Sequence, residues 1–302
     1  MKKALSILTV GCLAVSLAAC GSTAASSAAS AADSTASSAA ESTAASDTAA
    51  ADGQTYKVGI CQLVQHVALD AATQGFKDAL TEQLGDAVTF EEKNAQGDSN
   101  TCTTIINGFV SDNVDLILAN ATPALQAAQA GTNTIPVLGT SVTEYGVALG
   151  IDDFDGLVGT NISGTSDLAP LDEQAGIIKE LFPDAKTVGL LYCSAEPNSQ
   201  YQVDTVKASL EELGYTCEYY AFSDSNDLAT VCQSAADASD VIYVPTDNTV
   251  ANNTEIVNNI CQPAGVPVVA GEEGIMSGCG VATLSISYYD PVSYTHLTLP
   301  TN

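Results

Sequence analysis

Two short stretches carry the residue types that could hold a small charged solute. The apolar run Val241-Ile242-Tyr243-Val244 breaks at Pro245 into Thr246-Asp247-Asn248-Thr249, and Leu116-Ile117-Leu118 leads in the same way into Ala119-Asn120-Ala121-Thr122-Pro123. In each, a strand gives way to a polar turn that opens a helix, where free backbone N–H groups and the positive end of the helix dipole favour an anion. Asn198-Ser199 stands in the same setting, and all three turns also read as ordinary helix caps. For a cationic group the acceptors on offer are Asp247, Glu196 and Asp70, with Asp247 best placed because it follows directly on a strand end. Asp70 could instead orient His66 through a hydrogen bond. The chain contains no arginine, so a bound carboxylate would have to be held by amides and hydroxyls.

These turns need a scaffold that presents them to each other, and the chain between them supplies one. Lys57 to Cys61 reads as a strand, Val67 to Leu84 as a helix with Ala72, Phe76, Leu80 and Leu84 on one face, and Val88 to Glu91 as a second strand. Asp98 or Ser99 caps the next helix, whose face is Ile105, Ile106, Phe109 and Val110; Leu116 to Ala119 and Ile135 to Leu138 are strands three and four. Strands alternating with helices at these lengths give a parallel sheet covered on both faces. The series then restarts. Val188 to Cys193 repeats the first strand, a helix follows with Val203, Val206, Leu210 and Leu213, and Cys217 to Phe222, Asp240 to Tyr243 and Val266 to Val269 repeat the other three strands at offsets of about 125 to 131 residues. Gly156 to Thr165 and Gly278 to Tyr289 read as crossovers between the copies. The expected fold is therefore α/β, two similar doubly wound parallel-sheet lobes joined by crossover strands, with a ligand cleft between them.

The expected domains are a signal over 1–20, a linker over 21–55, lobe 1 over 56–165 with 281–290 returning to it, lobe 2 over 166–280, and a tail over 291–302. Lys2 and Lys3 precede an apolar run from Ala4 to Ala19, the pattern of an export signal. It closes on Leu17-Ala18-Ala19-Cys20-Gly21, which resembles the lipobox of bacterial lipoproteins; that resemblance implies cleavage before Cys20, lipidation of its thiol, and an anchor on the outer face of the cytoplasmic membrane. The Ser, Ala and Thr-rich linker is too poor in large apolar residues to form a core, and as a coil it would reach roughly 30 Å.

Composition removes several classes of function. Eight lysines face 36 acidic residues for a net charge of −28, which leaves no basic patch for nucleic acid. Seven cysteines follow Cys20, none at zinc or redox-motif spacing, so neither a metal nor another cofactor is expected and the thiols read as small buried hydrophobes. The chain also lacks a Gly-x-Ser-x-Gly elbow, a phosphate loop and a dinucleotide fingerprint, which leaves an exported hydrolase built on a serine, His66 and Asp70 as the weakest reading.

Several segments together resemble the ABC-transporter substrate-binding lipoproteins of the tryptophan/tyrosine type, whose two-lobe fold is that of the Leu/Ile/Val periplasmic binding proteins. They are His66 with Ala68-Leu69-Asp70, Ala121-Thr122-Pro123, Gly159 to Gly164, Tyr192 to Ser199, Pro245 to Thr249 and Ser285 to Asp290. The resemblance implies a monomer that captures a small solute, an aromatic amino acid for some members, and delivers it to a permease and its ATPase. A lipid-anchored sensor for a membrane receptor is the alternative. The ligand contacts it implies are His66, Asp70, Ala121, Thr122, Pro123, Thr140, Asn161, Glu196, Asn198, Ser199, Thr246, Asp247, Asn248 and Glu273, with Tyr145, Phe154, Tyr192 and Tyr243 as an aromatic wall or as core. At Pro291 the sequence departs from the family, which continues into a helix, so 291–302 is expected to be a non-native tail and lobe 1 to lack its closing elements.

Overall fold

The computed structural model describes residues 53–290; the signal, Cys20, most of the linker and the tail lie outside them. The first sheet is built from β1 (Tyr56–Gln62), β2 (Val88–Asn94), β3 (Leu116–Asn120), β4 (Val137–Val142) and β5 (Ile162–Ser166), with α1 (Val67–Leu84), α2 (Ser99–Ser111), α3 (Thr122–Gly131) and α4 (Tyr145–Leu149) between them. The second uses β6 (Thr187–Cys193), β7 (Thr216–Phe222), β8 (Val241–Val244), β9 (Val268–Ala270) and β10 (Ala282–Thr283), with α5 (Leu171–Leu181), α6 (Pro197–Glu212), α7 (Ser225–Ala238), α8 (Asn248–Ala251), α9 (Thr254–Ala264) and α10 (Glu273–Cys279). Strand order is β2-β1-β3-β4-β5 in one and β7-β6-β8-β9-β10 in the other, and every pairing is parallel. The repeat in the sequence is thus a repeat of topology.

Alternation along each first strand explains why both faces of each sheet are covered. Val58 and Ile60 pack with Phe76 of α1, while Cys61 turns to the opposite face with Ile106 and Phe109 of α2. A side chain on Gly59 would stand inside the Phe109 ring, so the close approach of α2 requires glycine there. In the second copy Val188, Leu190 and Tyr192 face α5 and α6, and Leu191 and Cys193 face α7. The strand starts are pinned alike in both copies. Asp115 accepts a hydrogen bond from the Lys57 amide at 2.7 Å, and Asp240 accepts from the Lys186 and Thr187 amides at 2.8 and 2.9 Å.

Several boundaries differ from those expected. The fourth strand of each copy begins two residues late, at Val137 and Val268, because Pro136 and Pro267 have no N–H to give; their carbonyls instead accept from Ile117 and Ile242 of the neighbouring strand. Leu213 caps the end of α6 and is exposed rather than part of its buried face. The return to lobe 1 also starts later than residue 281. Ala282 and Thr283 pair with β9 as the last strand of the second sheet, and it is Tyr289 that reaches α1, its carbonyl where a Cβ on Gly75 would stand and its hydroxyl 2.8 Å from Asp78.

One buried polar knot holds the second sheet to its crossover. The Tyr243 hydroxyl donates to Gln174 Oε1 at 2.6 Å, and Gln174 Nε2 donates to the carbonyls of Gly271 and Leu284. Tyr243→Phe leaves the fully buried Gln174 oxygen without its donor, and the expected cost is about 1–3 kcal/mol in urea unfolding.

Candidate functional site between the lobes

The carboxyl ends of the two sheets face each other, and their loops meet in direct contacts. His66 Nε2 lies 3.2 Å from Asn248 Oδ1, and Gln202 Nε2 of α6 donates to Thr143 Oγ1 at 3.3 Å. Around these bridges lies a narrow space lined by His66, Ala68 and Leu69 at the start of α1, Ser141 near the end of β4 and Thr143 just after it, Asp167 after β5, Asn198, Thr246, Asp247, Asn248, Glu272 and Tyr288. It has room for about 10 Å³, the scale of a single water.

Two features mark this space. Among the described residues, the buried side-chain atoms without a hydrogen-bond partner include His66 Nδ1, Ser141 Oγ, Asp167 Oδ1 and Asn198 Oδ1, all on residues that line it. Such orphaned groups are costly in a native interior and collect where a ligand supplies the missing partner. Ser141, which lines the space, also has φ +53°, a conformation that a non-glycine residue holds only when its surroundings impose it.

The acids in the cleft do four different things. Asp167, Glu196, Asp247 and Glu272 are the fully buried carboxylates of the described residues, and no basic side chain pairs with any of them. Asp247 is the N-cap of α8; one oxygen accepts from Val250 N at 2.9 Å and the other from Cys193 N at 2.7 Å. Glu272 is the N-cap of α10, with its oxygens on Gly274 N and Ile275 N. Glu196 accepts from the amides of Asn248 and Thr249 and from both of their side chains. Asp167 alone keeps an oxygen free, since Oδ2 accepts from the Tyr288 hydroxyl at 3.0 Å while Oδ1 has no partner. Burial raises its pKa, Glu272 raises it further, and the Tyr288 and Thr143 hydroxyls work in the other direction.

Lobe 1 offers the opposite polarity. The N-termini of α1 and α3 have no side-chain cap, whereas α8 and α10 on the facing side are both capped by acids. Free helix amides with the Ser141 hydroxyl beside them suit a carboxylate. The uncapped start of α1 and the Ser141 hydroxyl on this space suit an anionic group and the free Asp167 oxygen a cationic one, although the space as it stands holds only a water-sized group.

Measured against the sequence, the structure brings His66, Asn198, Thr246, Asp247 and Asn248 to this space. Ala121, Thr122 and Pro123 are buried at the start of α3, and Ser199 is buried against Asp247. Others are placed elsewhere. Asn161 donates to the carbonyls of Thr132 and Ile135 at the far end of β5, and the Thr140 carbonyl accepts from Ala121 N within the sheet. Asp70 accepts from Gln62 Nε2 rather than from His66, which also dissolves the Ser-His66-Asp70 arrangement. Glu273 is exposed, and its neighbour Glu272 is the cleft residue. Asp247, the expected cation acceptor, has both oxygens committed to backbone amides. The aromatic wall is absent from this space: Tyr243 is core, the Tyr145 hydroxyl donates to the Gly139 and Thr165 carbonyls, Tyr192 stacks edge-on with Tyr219, and Phe154 packs on the lobe 1 core. Ser141, Thr143, Asp167 and Glu272 carry no signal in the sequence, since Ser141 lies inside β4 and the others follow strands without a turn signature of their own.

Residues 57–295 match the family described as ABC transporter substrate binding protein. The chain belongs to this family. It is 37% identical over 234 residues to the tyrosine-binding protein of Clostridioides difficile, covering 76% of this chain and 68% of that protein. Among solved structures, the fold is similar to an ABC domain from Streptococcus pneumonia in complex with L-Trp, at 32% identity and a TM-score of 0.77 over 80% of this chain and 82% of that one. The ligand-free, open structure of a Clostridium difficile substrate-binding protein with adhesive properties is 37% identical over the same shares, with a TM-score of 0.56. The overall structural match is thus higher to the Trp complex than to the open form, although identity runs the other way. Among the described residues no cluster of His, Cys, Asp or Glu is placed to hold a metal ion, and no helix is long and apolar enough to cross a membrane.

The buried acids also set a pH dependence of stability. Burial and the neighbouring Glu196 push Asp247 up to about 8, against the two amides that favour its ionised form, and Asp167 is raised as well. A carboxyl whose folded pKa exceeds its unfolded value of about 4 binds more protons in the folded state, so its contribution is full below that value and is lost as pH rises through the folded pKa. The urea midpoint should fall from pH 5 to pH 8.5, and Asp167→Asn should reduce the slope.

Proposed function

We propose that the protein is the solute receptor of an ABC importer, that its ligand is an α-amino acid with an aromatic side chain, and that Cys20 carries a lipid anchor holding it outside the cytoplasmic membrane. The observation that carries the ligand reading is the unpartnered Asp167 oxygen, the one free acceptor among four buried acids, on the same space as the uncapped N-terminus of α1. An ammonium at Asp167 relieves both the orphaned oxygen and the mutual repulsion of the acids. Capture proceeds by closure of the lobes, favoured only through contacts that the open arrangement lacks, such as His66 to Asn248 and Gln202 to Thr143. The relatives that bind tyrosine and tryptophan support an aromatic ligand. The anchor rests on Lys2, Lys3 and the Leu17 to Gly21 motif, and delivery to a permease rests on family membership.

Because the chain has no tryptophan, added L-tryptophan reports its own binding by fluorescence against a tyrosine-only background. One ligand per chain is expected, with thermal stabilisation by at least one aromatic amino acid of a twenty-member panel. No emission shift and no stabilisation by any member would discard the ligand class.

A further inference from the structure

Outside the cleft, two cysteines on neighbouring helices of the second lobe touch. Cys232 of α7 and Cys261 of α9 lie with their sulfurs 3.7 Å apart, both buried in the core that these helices share with β8 and β9. Cys279 of α10 bonds instead to the Ile275 carbonyl of its own helix, at 3.3 Å. Cys61 and Cys102 also meet, but inside the lobe 1 core between β1 and α2. Cys261 has an approach that they lack. It borders an open space of about 860 Å³ at the start of β8 and β9, walled by Leu181, Phe182, Val266 and Val281, and neither Cys61 nor Cys102 lines that space.

Two sulfurs in van der Waals contact can reach the disulfide bond length of about 2.0 Å through side-chain rotation. A hydrogen bond from the Cys232 thiol favours the Cys261 thiolate and lowers its pKa, against the effect of burial. The cysteine that borders the open space is thus the better nucleophile of the two. We propose that Cys232 and Cys261 are a thiol pair that a low-molecular-weight disulfide converts into a cross-link between α7 and α9. The Cys261 thiolate attacks one sulfur of the small disulfide, whose S–S bond breaks to leave a mixed disulfide and one free thiolate. Cys232 then attacks the Cys261 sulfur, and the second small thiolate leaves. The two cysteine protons end on the two small thiols, so the protein pair is oxidised by two electrons and one disulfide is reduced. The cross-link closes a loop over 29 positions that contains β8 and the whole of α8, which restricts the unfolded chain and raises stability. None of this depends on which ligand the cleft takes.

Oxidised glutathione, added to the reduced full chain under native conditions, tests the pair. Cleavage at acidic residues then separates the cysteines, since Asp237, Asp240, Asp247 and Glu255 lie between Cys232 and Cys261 and Glu272 and Glu273 lie between Cys261 and Cys279. The peptides carrying Cys232 and Cys261 should appear joined to each other and free of glutathione. The melting temperature should rise by roughly 5–10 °C and fall back on addition of dithiothreitol. Cys261→Ala should show neither the cross-link nor the rise, and Cys279→Ala, which keeps the pair, should behave as wild type. The wild-type peptide map decides the bond by itself, whether or not a variant folds. Free or glutathione-capped thiols at both positions, a cross-link between other cysteines in its place, or a cross-linked protein that melts no higher than the reduced one would overturn the assignment.

Discussion

Asp167→Asn should weaken binding of every α-amino acid by about a hundredfold or more while leaving the thermal stability of the free protein unchanged or raised. The expectation of lost affinity follows from removing one partner of a desolvated charge pair, which costs about 2–5 kcal/mol. The expectation for stability follows from the free state. Asp167 is buried, carries an unpartnered oxygen, lies near Glu272, and has its pKa raised by both conditions. An asparagine keeps an oxygen for the Tyr288 hydroxyl and removes the unpaired charge. A residue that destabilises the free protein and binds the ligand shows the trade-off common at functional sites. The same geometry fixes a pH dependence. A ligand ammonium favours the ionised carboxyl, so binding expels the proton from Asp167, and affinity should rise with pH until the free-state pKa is passed. Asp167→Asn should remove that rise. Titration calorimetry at several pH values, with thermal melts of both proteins, reads all three effects. A variant that melts early and binds normally would make Asp167 a structural residue.

Much of the scaffold can be read from the chain because it is written twice. Each strand of the first sheet has a partner in the second, so even a short run such as Val266 to Val269 is identified by its counterpart Ile135 to Leu138, and both shift by two residues for the same reason, the missing proline N–H. The site is less legible, and Asp247 shows why. An aspartate in a strand-to-helix turn is equally a cap and a ligand contact, and what separates them is whether its oxygens are already spoken for, here by Cys193 N and Val250 N. Cys193 stands 54 residues away in sequence and enters only because β6 and β8 are neighbours. Asp167 poses the reverse problem. It follows β5 with no helix cap to announce it, and its partner Tyr288 lies 121 residues further on in the other crossover. Burial and an empty hydrogen bond define it, and neither is a property of local sequence. Glu272 and Glu273 show the limit of resolution: the pair is visible, but the pleat of β9 and the start of α10 decide which one turns inward.

Glu196→Ala should cost about 2–4 kcal/mol of stability and also weaken ligand binding. The carboxylate is 5% exposed and receives the amides of Asn248 and Thr249 at 3.0 and 2.9 Å, the Asn248 Nδ2 at 2.7 Å and the Thr249 hydroxyl at 2.8 Å. With Asn198 Nδ2 at 3.4 Å, five donors on two oxygens leave no site for a ligand ammonium, so this acid acts by holding the Asn248 loop. Its amide grip turns Asn248 Oδ1 toward His66 across the cleft. Glu196→Gln discriminates this role from a charge contact with ligand, because the new NH2 would face two of those donors in place of an acceptor; the glutamine should therefore destabilise nearly as much as alanine. His66 provides a readout that simple loss of stability does not move. With His66 the one histidine among the described residues, its imidazole resonances should shift in either Glu196 variant under native conditions, as Asn248 loses its orientation, and should stay in place in Asp167→Asn. A Glu196→Gln protein with wild-type stability and an unmoved His66 signal would instead return Glu196 to the ligand.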